Sequence, residues 1–258
     1  MVNGVPSSYL DLADPAALAF EYMQQMMLVI DRLDDGTGPL DVVHLGAAGC
    51  AMARAVHAVR PGSRQVAVEL DTALPELVRS WFDLPRAPAL RIRAGDARAQ
   101  LAAMPDASAD VVIRDVFAGA TTPAHVVTRE MAADVVRVLR PGGVYLVNSA
   151  DRPPLSSVRT EGATLLDAFA DVAVVAEPGV LRGRGYGNFV LAGTDRLDLL
   201  GEAGLARAVR SLPAPARLLH GDELAAFVGR APVLRDPQQT DPAPREGEGE
   251  GTRSRETP

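Results

Sequence analysis

The chain has 258 residues, 47% of them hydrophobic, and a formal net charge of −7. That is enough apolar material for one substantial core, and an acidic balance with no basic cluster argues against a nucleic-acid surface. All 26 basic residues are arginine, so neither a Schiff-base lysine nor a phosphate-loop lysine can exist, and the single cysteine, Cys50, excludes an internal disulfide or a cysteine-rich zinc site.

The opening stretch, MVNGVPSSYLDLADP, lacks the basic segment and apolar core of a signal peptide. No apolar run approaches the roughly 20 residues of a membrane span, and cytoplasmic residence is the default expectation. Residues 1–40 read as a small strand-and-helix extension. Its helix, over 15–33, sets Leu18, Tyr22, Met26 and Leu33 near one face, and the pair Met26 and Met27 reads as packing.

From 41 to 235, short apolar runs alternate with helical patterns. The runs at 42–45, 65–70, 90–94, 111–115, 143–148, 172–176 and 187–192 are mostly rich in Val, Ile or Leu, as strands buried on both faces require. Helices are expected at 50–59, 74–81 and 123–139, with two more, at about 197–210 and 222–229, closing the domain. Such alternation predicts an α/β fold: a Rossmann-like, doubly wound, mostly parallel sheet of seven strands. The helix at 123–139 is punctuated by Thr122 as cap, Pro123 in the first turn and Arg140-Pro141-Gly142-Gly143 at its end. Residues 236–258 hold no large apolar side chain and are expected to form a disordered tail.

The chemistry gathers at successive strand ends. Gly46-Ala47-Ala48-Gly49 follows the first run with small residues only, so the backbone can approach a ligand and the next helix can offer its free N–H groups. Glu69, 23 positions after Gly46, ends the second run beside Leu70, where a carboxylate can accept from both hydroxyls of a ribose. Asp96, followed by Ala97, closes the third run and can accept from an adenine amino group. Asp115 closes the fourth and would face the same crevice. In an open α/β sheet these carboxyl ends share one ligand-binding cleft.

The remaining polar residues carry blander expectations. His44 reads as a hydrogen-bonded core histidine and His125 as a contact at a helix N-terminus. His57 and His220 are isolated. No histidine pair has metal-ligand spacing, so no metal is expected. Cys50 reads as a small buried side chain. Arg182 and Arg184 can face an acidic substrate or simply solvent.

The spacing of Gly46, Glu69, Asp96 and Asp115, with Leu139-Arg140-Pro141-Gly142-Gly143 after the fourth helix, resembles Class I S-adenosylmethionine-dependent transferases. Two further stretches narrow the resemblance to polyamine aminopropyltransferases, and within them to spermidine synthase-like members. They are Asn3-Gly4-Val5-Pro6-Ser7-Ser8 with Phe20-Glu21-Tyr22-Met23-Gln24-Gln25, and 110–117 with Thr122-Pro123-Ala124-His125. The resemblance covers roughly residues 3–195.

It implies that Gly46, Ala47, Gly49, Glu69, Leu70, Asp96 and Ala97 bind S-adenosylmethionine, its decarboxylated form or the product methylthioadenosine. Glu69 would hold the ribose and Asp96 the adenine side. Asp115 matches the first aspartate of the family's D-[ST]-[ST]-D-P motif, which positions and deprotonates the attacking amine, and Tyr22 matches a tyrosine that helps place it. The partners implied are this cofactor and a small amine, within a homodimer.

Departures leave the cofactor half better preserved than the amine half. Ala118 stands at the motif's second aspartate, Gly49 stands at the aspartate of the family's G-G-G-D-G-G turn, and residues 179–184 hold no match to its C-terminal substrate tyrosine. The glutamine expected after the Gly-Val pair is also replaced, in the Pro6-Ser7 stretch. At roughly 1.5–3 kcal/mol per charge-assisted hydrogen bond, two missing carboxylates weaken a diamine transition state by about two to four decades in rate. Three readings stay open: aminopropyl transfer to an amine, methyl transfer from the intact cofactor, and a non-catalytic adenosine-ligand binder.

Overall fold

The computed structural model describes residues 8–237; the opening residues 1–7 and the tail from 238 onward, with the expectations placed on them, lie outside the described residues. In chain order the elements are α1 (Glu21–Ile30), β1 (Asp41–Leu45), α2 (Ala51–Val59), β2 (Arg64–Glu69), α3 (Leu74–Trp81), β3 (Leu90–Ala94), α4 (Ala97–Ala102) and β4 (Ala109–Arg114). Then come α5 (Arg129–Val138), β5 (Leu139–Asp151), α6 (Ser156–Ala168), β6 (Asp171–Ala176), α7 (Pro178–Leu181), β7 (Gly187–Thr194), α8 (Ala203–Arg210), β8 (Arg217–His220) and α9 (Asp222–Val228).

One sheet carries all the strands in the order β3-β2-β1-β4-β5-β7-β6-β8. The pairs among β3, β2, β1, β4 and β5 are parallel, whereas β7 runs antiparallel to both β5 and β6. Strand alternation feeds two cores. Val43, Leu45 and Val112 pack with α5 and α6 on one face; Val42, Val111 and Ile113 pack with α1 and α8 on the other. This is the doubly wound architecture the sequence pattern predicts.

Four details differ from the sequence reading. The sheet has eight strands, because β8 adds to its edge antiparallel to β6; its four residues, Arg217–His220, hold only two apolar side chains, Leu218 and Leu219, and do not stand out as a run. The helix expected over 123–139 begins six residues later. A 3-10 turn at Ala124–Val126 intervenes, and Thr128, not Thr122, accepts from the Met131 amide as N-cap. Replacing Thr128 with Ala should therefore cost about 1 kcal/mol, whereas Thr122→Ala should leave stability unchanged; urea denaturation of the two variants checks this. Finally, the first helix is confined to Glu21–Ile30. Asp236 is held by Arg98 (2.6 Å) and by its own amide to Glu130 (2.8 Å), so the ordered body reaches past 235.

Several buried polar groups are explained by what they hold. Arg60 is fully buried and donates to the carbonyls of Ile30, Leu33 (2.9 Å) and Gly38 (3.1 Å), at the end of α1 and in the turn that follows it. That ties the end of α1 to the end of α2. His44 lies in β1 with Nε2 2.8 Å from Gln65 Oε1, and burial takes its pKa down to about 4, so the ring is a neutral core group. Burial likewise pushes the Cys50 thiol up to about 12, and the thiol is inert.

Candidate functional site

Parallel pairing brings the carboxyl ends of β1 to β4 to one edge of the sheet, and backbone hydrogen bonds continue the ladder past the strands. The Gly46 amide donates to Val68 (3.0 Å), that of Gly95 to Glu69 (2.8 Å) and that of Asp115 to Leu45 (2.8 Å). Gly46 sits at φ 87°, and a Cβ there would collide with the Asp115 carbonyl oxygen. Only glycine lets the two loops touch. Around this junction opens a cavity of about 480 Å³, in the range of small-molecule sites.

Tyr22, Gly46, Ala47, Glu69, Leu70, Asp96, Ala97 and Asp115 all line this one cavity. Gly49 does not. Its amide donates to Ser8 Oγ (2.9 Å), and Ser8 and Leu10 pack where its side chain would stand. Arg182 and Arg184 do not line it either.

Each acid has a defined setting. Glu69 Oε2 accepts from the amides of Ala47 (3.2 Å) and Ala48 (2.9 Å), and Oε1 accepts from Asp71 (3.1 Å). The carboxylate is thus braced on the glycine turn, where Ala48 and Cys50 hold left-handed φ values of 41° and 60°. Asp96 caps α4 through the Ala99 amide (2.9 Å) and meets His125 Nε2 at 2.8 Å. Partial burial pulls its pKa upward, but the Ala99 amide and His125 outweigh that and hold it below the usual carboxylate value.

Asp115 accepts from the Tyr22 hydroxyl at Oδ2 (2.7 Å) and from Asn148 Nδ2 at Oδ1 (2.8 Å). Part of its surface remains accessible, yet the protein encloses it closely enough that desolvation raises its pKa, against the opposing pull of Tyr22, Asn148 and Arg114. Burial, with the adjacent carboxylate, pushes the Tyr22 phenol up as well, so Tyr22 is a permanent donor that orients Asp115.

Sequence reasoning missed Asn148, Tyr186, Asn188 and the role of His125. Asn148 ends the fifth apolar run, so the strand-end argument that found the acids applies to it too. Tyr186 and Asn188 enter because β7 is antiparallel, which puts its beginning, not its end, at the cavity.

Among the described residues no group of three or more His, Cys, Asp or Glu can hold a metal ion, and no helix is long and apolar enough to cross a membrane.

A mostly parallel sheet with an antiparallel β7, acids at the second to fourth strand ends and a small-residue turn after the first defines a Class I methyltransferase-type fold. Similarity to solved structures agrees. A probable spermidine synthase from Corynebacterium glutamicum is 38% identical, covering 94% of this chain and 89% of its own, with TM-score 0.84. Human methyltransferase-like protein 13, at 21% identity and TM-score 0.58 over 87% of this chain and 97% of its own, shares the fold. The chain belongs to the spermidine synthase-like, or polyamine aminopropyltransferase, family. The polyamine aminopropyltransferase of Chromobacterium violaceum is 28% identical over 142 residues, 55% of this chain and 53% of that protein. This chain spans about half the length of the curated relatives it matches, and no family model matches it.

Proposed function

We propose that the protein binds decarboxylated S-adenosylmethionine and transfers its aminopropyl group to an amine, leaving methylthioadenosine. The observation that carries the reading is Asp115: a carboxylate of raised pKa, held by Tyr22 and Asn148, in the same cavity as Glu69 and Asp96. The cavity fits the ligand on chemical grounds. Two carboxylates at neighbouring strand ends suit ribose hydroxyls and an adenine amine, Leu70 offers an exposed apolar face at the rim, and the Gly46 turn keeps bulk away.

Bound there, the sulfonium supplies an activated methylene and a good leaving group. The chain's own task is orientation and proton removal. Glu69, already aligned by three amides, accepts from the ribose; Asp96, fixed by the helix cap and His125, accepts on the adenine side. Asp115 takes the proton of the attacking amine, and Tyr22 holds the carboxylate in position.

The test is one calorimetric comparison of intact cofactor, decarboxylated cofactor and methylthioadenosine in a single buffer. Aminopropyl transfer expects the decarboxylated form to bind more tightly than the intact one; intact cofactor binding at least as well would favour methyl transfer instead. In the same assay Glu69→Gln should weaken methylthioadenosine by roughly ten- to a hundredfold, the loss of a charge-assisted contact of about 1.5–3 kcal/mol.

A further inference from the structure

Resting on the reading of the cavity as an adenosine-cofactor site, we infer that the segment after α9 belongs to that site. Asp236 is a positioning residue that acts through Arg98 and the turn of His125 on Asp96, the acid set to read the amino group of the base.

The segment is tied down along its length. Ala231 and Val233 pack against the core that α5 and α6 share with the sheet. The Leu234 amide donates to Thr164 Oγ1 in α6 (2.9 Å), and the Leu234 carbonyl accepts from the Arg129 amide (2.8 Å), one of the N–H groups that the start of α5 leaves open. The Asp236 amide donates to Glu130 Oε2 (2.8 Å). A strap held this way delivers its carboxylate to one place. Asp236 accepts from both Nη atoms of Arg98, at 2.6 and 2.5 Å, and such fork-on-fork pairing fixes direction as well as distance.

Arg98 passes the restraint on, because its Nη1 also donates to the His125 carbonyl (3.0 Å). The 3-10 turn of His125 is short. Its own backbone supplies bonds from Val126 to Pro123 (3.2 Å) and from Val127 to Ala124 (3.3 Å), and although Val126 is buried, the His125 side chain is 48% exposed. What the turn positions is the imidazole. Its Nε2 lies 2.8 Å from Asp96 Oδ2, and since a carboxylate only accepts, Nε2 carries the hydrogen.

The Ala99 amide holds the other oxygen, Oδ1, at 2.9 Å. Each oxygen of Asp96 therefore has a protein donor and keeps a lone pair for the cavity it lines. Without the imidazole the carboxylate is braced at one oxygen only, and its aim at a base amino group is no longer set. Occupying Arg98 has a second use. Freed from Asp236, a guanidinium two positions along the chain from Asp96 can pair with that carboxylate and compete with the ligand.

The probes are methylthioadenosine and its 6-deamino analogue, the same nucleoside with hydrogen in place of the amino group of the base. Each is titrated calorimetrically into the full chain and its variants. Asp236→Ala is expected to weaken methylthioadenosine by about fivefold, the scale of one hydrogen bond, and the analogue by less than about twofold, because the analogue gives Asp96 nothing to read. His125→Ala should repeat that pattern with the strap intact. The double variant should be no weaker than His125→Ala alone, since both changes break one relay. Asp236→Asn, which keeps one acceptor for Arg98, should fall between wild type and Asp236→Ala, and it carries the test if loss of the carboxylate lowers Tm too far for titration.

Equal losses on both nucleosides make the segment a packing element only and overturn the inference. Unchanged binding of methylthioadenosine, or a double variant whose losses add, overturns it too, and each of these results leaves the transfer reading untouched. A base-selective loss in a protein that yields no product with any amine keeps the inference and overturns transfer. Wild-type protein that binds neither nucleoside overturns both.

Discussion

Asp115→Asn should abolish aminopropyl transfer, with kcat falling about a thousandfold or more, while methylthioadenosine affinity stays within threefold. The first part follows from proton removal: an amide cannot take the amine's proton, and positioned acid–base groups contribute about two to four decades. The second follows from placement, since Asp115 belongs to the fourth strand end and the cofactor contacts belong to the first three. Local structure survives because Asn148 can turn its own amide over. Its Oδ1 lacks a partner in the unmodified protein. After the turn that oxygen accepts from the amide nitrogen introduced at position 115, while Tyr22 still donates to the carbonyl oxygen beside it.

Linkage fixes the sign of the accompanying stability change. The folded-state pKa of Asp115 is raised, so folding favours its protonated form. That contribution is fully present below the unfolded carboxylate value near 4 and is lost as pH rises through the folded pKa. At neutral pH the ionised side chain is a net cost to the fold, and the uncharged variant should melt at or above the wild-type Tm, the gap closing as pH falls toward 4. The acid limb of kcat/KM should lie above the ordinary carboxylate pKa, because the base must be ionised to act. A variant with unchanged kcat, or one that melts well below wild type at pH 7, would remove Asp115 from the mechanism.

The residues that sequence reveals and those it conceals divide along a physical line. Glu69, Asp96 and Asp115 are legible because a strand buried on both faces is a short apolar run, and its end is visible as the first acid after the run. Parallel order then brings those ends together without further information. Tyr186 and Asn188 are concealed because direction is invisible in composition: a run such as 187–192 reads alike whether it is parallel or antiparallel, yet only the antiparallel choice puts its beginning at the cavity. Thr122-Pro123 carries the cap chemistry of a helix start, but a 3-10 turn at Ala124–Val126 and a second cap at Thr128 take precedence. His125 reads as a helix-terminus contact because its partner, Asp96, lies 29 residues away, a separation no local pattern reports. Gly49 is a ligand contact only by the family resemblance, and it does not line the cavity. In the fold, its smallness serves the close passage of Ser8 and Leu10.

Directly behind the site, Arg114 points from β4 into the core and pairs with Glu161 of α6, the two side chains 0% and 7% exposed. The guanidinium is only partly satisfied: Nε and Nη1 have no well-formed hydrogen bond among the described residues, and the Tyr145 hydroxyl is the other polar group beside the cation. Glu161→Gln should therefore be severe. It leaves a fully buried cation without its counter-charge, at a cost of about 3–5 kcal/mol, which in a chain of this size lowers Tm by roughly 10 °C or more. Arg114→Met with Glu161→Leu should restore most of that loss, because two apolar side chains of similar reach remove the desolvation penalty along with the attraction.

The double variant carries a functional signature that packing alone would not produce. Arg114 is one of the groups that draw the Asp115 pKa down against desolvation. Without the cation, the ionised carboxylate is less favoured, and the acid limb of kcat/KM should move to higher pH in a protein of near wild-type stability. A stable double variant with an unshifted pH profile would show that Arg114 serves the core alone, and a Glu161→Gln protein within 1 kcal/mol of wild type would show that the buried pair is not what secures α6 to the sheet.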